Sequence, residues 1–210
     1  MQAVLDLGVP ASRIVYANPC KQPSHVRFAA SAGVRLTVAD CASELHKVAQ
    51  HHPRSDLLLR LAVDDSQAQW QCVISCKYGA PFGEMSLLLA SATELGLTVR
   101  GVSFHIGSGC YAAGAFADAV ERAEQVFELA EGHGVAMDVL DIGGGFPGSS
   151  TCRVGYAALP VARPGPGSAH ALLDCMAHDW HTLGLHACPA RAGACLQLSH
   201  PQDLCRYGTL

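Results

Sequence analysis

Two apolar stretches that stop abruptly in glycines constrain this chain more than any other feature. The first is Gly101-Val102-Ser103-Phe104-His105-Ile106-Gly107-Ser108-Gly109-Cys110; the second is Leu140-Asp141-Ile142-Gly143-Gly144-Gly145-Phe146-Pro147-Gly148. A short apolar run reads as a buried strand, and glycines at its end let the backbone enter a loop that approaches another group closely. Successive N–H groups unencumbered by side chains form a concave nest for an anion such as phosphate. His105 and Ser108 add a flat ring and a hydroxyl beside the first loop.

These stretches belong to a longer repeat. Residues 1–9 read as the end of a helix, and Ile14 to Ala17 as a strand that ends at the turn signal Asn18-Pro19. Pro23 to Ala32 follows as a short helix with Val26, Ala29 and Ala30 inward, closed by Gly33. Val34 to Val38 is the second strand. Asp40 is placed to cap the next helix, whose face carries Leu45, Val48, Ala49 and His52 before Pro53. Leu57 to Val63 is apolar on both faces apart from Arg60, as strands of a parallel sheet covered on both sides are. Asp64-Asp65-Ser66 and a long loop through Lys77-Tyr78-Gly79 lead to a helix near 84–95. Thr98 to His105 is the fourth strand. After it, Phe116, Val120, Ala123, Phe127 and Ala130 recur at spacings of four and three, the signature of an amphipathic helix. Gly132 and Gly134 end that helix, and Ala136 to Ile142 is the fifth strand. Five successive strand–helix units point to an α/β fold, either a parallel layer or a barrel.

Composition narrows the function classes. Half of the 210 residues are apolar, enough for a sizeable core, while a formal charge of −4 offers no basic field for nucleic acid. No run reaches the length of a membrane span, and the N-terminus lacks the basic flank and apolar run of a secretory signal, so a cytoplasmic location is expected. The ten cysteines are spread over a chain too long and apolar to need a disulfide scaffold, and read as free thiols. Cys72 and Cys76 have no second pair at a matching distance, so no metal site is expected. From Ser149 the composition changes: residues 149–210 contain no Lys, Glu, Ile, Phe or Asn and are crowded with Ala, Gly, Pro, His and Cys. They read as a low-order tail in which no strand or helix period persists beyond Ala169–Met176. Zinc binding by the tail's Cys and His residues is the alternative, although their spacings match no known ligand frame.

In a repeated strand–helix fold, ligands collect at the carboxyl ends of the strands. Those ends carry Asn18, Asp40, Arg60 with Asp64 and Asp65, His105 with Ser108, and Asp141 with Gly143, Gly144 and Gly145. A guanidinium inside an apolar strand is costly unless it meets a carboxylate or a ligand, which singles out Arg60. His105 is a ligand contact or else a satisfied core histidine. Asp141 is placed to orient the glycine loop by accepting its backbone N–H groups.

Four segments taken together resemble a known family: residues 14–22, Leu59-Arg60-Leu61-Ala62-Val63-Asp64-Asp65-Ser66, residues 101–110 and residues 140–148. Over residues 1–148 the chain is similar to the eukaryotic ornithine decarboxylases and their relatives, the antizyme inhibitors. The resemblance implies a pyridoxal 5'-phosphate-binding (β/α)8 TIM-like barrel, present here as about five units of a partial barrel domain (1–148) followed by the tail (149–210). It implies that His105 stacks on the cofactor ring, that Ser108, Gly143, Gly144 and Gly145 hold the phosphate, and that Arg60 lies near the ring. The implied activity is pyridoxal phosphate-dependent decarboxylation of ornithine to putrescine, in homodimers. The family's cofactor-bearing lysine has no counterpart among Lys21, Lys47 and Lys77, so no complete catalytic set is expected and the chain is read as truncated and inactive by itself. A second implication is an antizyme-binding surface through about Val48, with Lys21 and Arg27 as its candidate contacts. A partial barrel with open sheet edges that does not fold stably is the third reading.

Overall fold

The computed structural model describes residues 1–63, 78–107 and 113–144, together with the backbone of Ala194–Gln197. After a short exposed helix α1 (Gln2–Asp6), the chain alternates β1 (Val15–Tyr16), α2 (Pro23–Ser31), β2 (Leu36–Ala39), α3 (Ala42–His51), β3 (Asp56–Arg60), α4 (Met85–Glu94), β4 (Thr98–Ser103), α5 (Ala113–Gly132) and β5 (Val139–Gly143). The strands lie side by side in chain order, each parallel to the next. Strand order therefore never reverses, as a doubly wound sheet requires, and the five strands form a half-barrel.

Side-chain alternation explains the two faces of this sheet. Leu57 and Leu59 point into a large core with Leu45 and Val48 of α3, Leu88 and Leu89 of α4, and Phe116, Val120, Ala123, Val126 and Ala130 of α5. Leu58, one residue out of phase, packs on the other face with Val38 and Val139, flanked by Val15 and Leu36. All three leucines are fully buried, as a strand covered on both faces demands. Gly101 packs against β5 so tightly that a Cβ there would lie 1.7 Å from the Val139 carbonyl oxygen.

Two expectations are corrected. Asp40 does not cap α3, whose N-cap is Cys41 without a side-chain hydrogen bond; its Oδ2 instead accepts the Gly79 N–H at 2.9 Å. A backbone N–H arriving from the β3–α4 connection occupies the carboxylate in place of the first turn of the adjacent helix. Beside β5, residues Ala194–Gln197 form β6, antiparallel to it with Leu140 opposite Leu196. A strand edge presents unpaired N–H and C=O groups that any extended backbone can pair with, whatever its side-chain pattern, so hydrophobic periodicity carried no trace of it. The second concerns Lys21, a candidate partner contact. Its ammonium is fully buried and bonded to Glu44 Oε1 at 2.8 Å and to the Val38 carbonyl at 2.5 Å. An ammonium so enclosed has no donor left to offer a partner protein. Among the described residues no helix is long and apolar enough to cross a membrane, and no group of three or more His, Cys, Asp or Glu side chains is placed to hold a metal ion.

Candidate functional site

The strand ends bring Arg60, Ser103, His105, Asp141, Gly143 and Gly144 to one mouth. Register accounts for this: Arg60 pairs with Ser103, and Ser103 with Asp141, across β3, β4 and β5. Backbone bonds continue the ladder past the strands, from Leu61 N–H to the Ser103 oxygen and from Phe104 N–H to the Asp141 oxygen. His105 and the glycine loop thus leave the sheet side by side.

Asp141 organises the loop, as its position two residues before the glycines suggested. Its Oδ1 accepts the Gly143 N–H at 2.9 Å and its Oδ2 accepts the Ser103 hydroxyl at 3.1 Å. Burial pushes its pKa up, while these two hydrogen bonds and the Arg60 charge pull the other way. Gly144 N–H donates to His105 Nδ1 at 3.0 Å. An imidazole nitrogen that accepts from an amide is unprotonated, so the neutral ring carries its proton on Nε2. Burial lowers the His105 pKa, and the Arg60 charge lowers it further, so the ring is neutral near pH 7.

The two described amides of the glycine loop, on Gly143 and Gly144, donate within the protein and orient the loop and the His105 ring. Gly143 adopts φ +66°, and a Cβ there would lie 2.3 Å from the Phe104 oxygen and 2.9 Å from His105 Nδ1. Only glycine lets loop and ring close together. Ser108 and Gly145, like Asp64, Asp65, Cys72, Cys76 and Lys77, lie outside the described residues.

Arg60 ends β3 half-buried, with its guanidinium 5.1 Å from the centre of the Tyr78 ring. Burial lowers its pKa, and the Asp40, Asp141 and Tyr78 groups offset part of that. The sequence singled out Arg60 but missed Tyr78 and the role of Asp40, because a loop residue reaching back to a strand leaves no periodic signal.

A second buried polar group lies on the β1 and β2 side. Glu44 holds Lys21 through Oε1 and Lys47 through Oε2 at 2.5 Å, and Lys47 also donates to the Lys21 carbonyl at 2.6 Å. Burial depresses the Lys21 pKa, partly offset by the Glu44 hydrogen bond and charge. Glu44 falls on the helix face that carries Leu45 and Val48, and an acid on an apolar stripe was the available signal for a buried pair. Arg27 lies exposed on α2, apart from this group.

Residues 1–156 match the model of the pyridoxal-dependent decarboxylase family, pyridoxal binding domain. The chain belongs to this family. It is 49% identical over 159 residues to ornithine decarboxylase of Mus musculus, covering 76% of this chain and 34% of that protein. It is 44% identical over 159 residues to antizyme inhibitor 2 of Xenopus laevis, again covering 76% and 34%. Among solved structures, the arginine decarboxylase of Paramecium bursaria Chlorella virus superposes with a TM-score of 0.68 at 33% identity, over 70% of this chain and 40% of that one. This decarboxylase-family chain thus spans about a third of the length of the curated relatives it matches. Pyridoxal phosphate is the family's cofactor, and the mouth fits it: a flat neutral ring locked by Gly144, a guanidinium whose charge reaches that ring and a glycine loop closed to side chains.

Proposed function

We propose that these residues form the ring-holding and phosphate-facing wall of a pyridoxal phosphate site serving the decarboxylation of ornithine or a similar basic amino acid. The observation that carries this reading is the Gly144-to-His105 hydrogen bond, which fixes a neutral ring at the strand mouth. The cofactor, when bound, supplies the sink for the electrons left behind by departing carbon dioxide. His105 would stack on its pyridine ring; a neutral imidazole does so without placing a second cation beside Arg60. Arg60 supplies positive charge at the mouth, and Asp141 holds the glycine loop so that Gly143 and Gly144 keep the ring in place. Ser108 and Gly145 are proposed as phosphate contacts, with the polarity those residue types provide.

Covalent attachment is not proposed for any lysine described here. The Lys21 and Lys47 ammoniums are both engaged by Glu44, and by themselves these 210 residues are not expected to turn over an amino acid. The test is to mix the full chain with pyridoxal phosphate, follow binding by the cofactor's absorbance, and treat with borohydride. Micromolar binding lost in His105→Ala, with no lysine adduct after reduction, is the expected result. No binding by the wild-type chain overturns the cofactor reading, and a reduced adduct on Lys21, Lys47 or Lys77 overturns the reading of an incomplete site.

The similarity to an antizyme inhibitor favours a second reading, an antizyme-binding surface on the exposed side of α2. Arg27 is available for such contacts and Lys21 is not. A pull-down with antizyme separates the two: Arg27→Glu weakens capture on this reading, and equal capture of both proteins counts against it.

A further inference from the structure

We infer that Tyr78 and Asp40 are positioning residues for Arg60, holding its guanidinium at the strand mouth beside His105. This rests on the proposed cofactor-facing role of that mouth, which it extends to the segment following the long β3–α4 connection. The chain returns to the sheet at 78–80 through a short parallel bridge. Ala80 N–H donates to the Arg60 oxygen at 2.8 Å, and Ala62 N–H donates to the Ala80 oxygen at 2.9 Å. Between these anchors, Gly79 packs against the Ala62 backbone so tightly that a Cβ would lie 2.7 Å from Ala62 N. Asp40, just beyond β2, pins the same residue by accepting its N–H at 2.9 Å. The latch spans β2, β3 and the returning segment, and beside it the Tyr78 ring lies 5.1 Å from the Arg60 guanidinium.

A guanidinium over an aromatic face is held by the ring's negative quadrupole and shielded on one side from water. That arrangement suits a cation that must stay near its site without being neutralised there. Two carboxylates lie near enough to act on Arg60, those of Asp40 and Asp141, and both already accept backbone N–H groups. Among the described residues, the charged group whose field reaches the His105 ring is Arg60, and the groups acting on Arg60 are Asp40, Asp141 and Tyr78. Tyr78 therefore acts on the ring at one remove, through the place it gives the guanidinium.

The experiment is an NMR titration of the His105 imidazole in the full chain, assigned with His105→Gln, for wild type, Tyr78→Leu, Tyr78→Gln and Tyr78→Phe. Tyr78 is 40% exposed, so these substitutions leave the core intact. Leu and Gln remove the aromatic face with opposite polarity, and either one suffices if the other fails to fold. The expected result is that both raise the His105 pKa toward its ordinary value and weaken pyridoxal phosphate binding about 2- to 5-fold, while Phe behaves as wild type. An unchanged His105 titration in a folded Leu or Gln variant overturns the inference, as does a Phe variant that behaves like Leu. If the wild-type chain binds no cofactor, the proposed function fails while the His105 titration still decides the role of Tyr78.

Discussion

The two ends of β3, β4 and β5 handle charge in opposite ways. At the N-terminal end, arginine and aspartate alternate across four neighbouring strands: Arg35 before β2, Asp56 in β3, Arg100 in β4 and Asp138 before β5. Arg35 meets Asp56 at 3.0 Å, Arg100 reaches Asp56 at 4.0 Å, and Arg100 binds Asp138 through two hydrogen bonds. At the C-terminal end, Arg60 faces Tyr78, while the nearby carboxylates of Asp40 and Asp141 accept backbone N–H groups. The consequence shows in the two arginines. The Asp138 hydrogen bond raises the Arg100 pKa, whereas burial lowers that of Arg60. One end neutralises its charges locally and closes the sheet; the other keeps a cation and a neutral imidazole in place at an open mouth. Division of labour between the bottom and top of a barrel explains both arrangements.

Substitutions can break this contrast, and the largest effect is expected at the buried pair on the mouth side. Glu44→Ala leaves Lys21 enclosed without its counter-charge and should cost about 3–5 kcal/mol in urea unfolding. Gly143→Ala comes next. A left-handed backbone and a Cβ 2.3 Å from the Phe104 oxygen together should cost about 2–4 kcal/mol and shift the His105 ring resonances. Acidification separates the two ends without mutation. Because the folded His105 pKa is depressed, the unfolded chain takes up this proton first, so stability contributed at the mouth falls as pH drops below about 6.5 and levels off below the folded value. His105→Gln should flatten that part of a melting-temperature profile. Asp141, with a raised pKa, contributes the opposite sign at lower pH, where protonation relieves its burial. At the N-terminal end, Asp138→Ala should cost about 1 kcal/mol or less, and 1 M salt should shrink the difference because the pair is partly exposed. Smallest is Arg35→Ala: with its side chain 63% exposed, it should change stability by no more than about 0.5 kcal/mol in the same assay.

Much of this was legible beforehand where one element's periodicity carried the information. The α5 stripe at Phe116, Val120, Ala123 and Ala130, the double-sided burial of Leu57 to Leu59 and the Asp141 turn all follow from residue type and spacing. His105 and Arg60 stood out because a ring or a charge at the end of an apolar strand calls for a partner. The Asp40 bond to Gly79, the Tyr78 ring over Arg60 and the burial of Lys21 were not legible, because each joins residues from different units. Spacing along a helix also misread Asp40, whose carboxylate takes the Gly79 N–H delivered by the loop.

The sequence alone determined the five α/β units, their apolar faces and the family to which they belong, since period and motif are properties of contiguous residues. Only the tertiary structure decided what the glycines do. Parallel register sets Ser103 beside Asp141 and carries His105 to Gly144, so the Gly144 amide locks an imidazole in its Nε2–H form while the Gly143 amide is held by Asp141. Hydrogen-bond donors are claimed by whichever acceptor the fold brings within about 3 Å, and that distance is set by packing between strands.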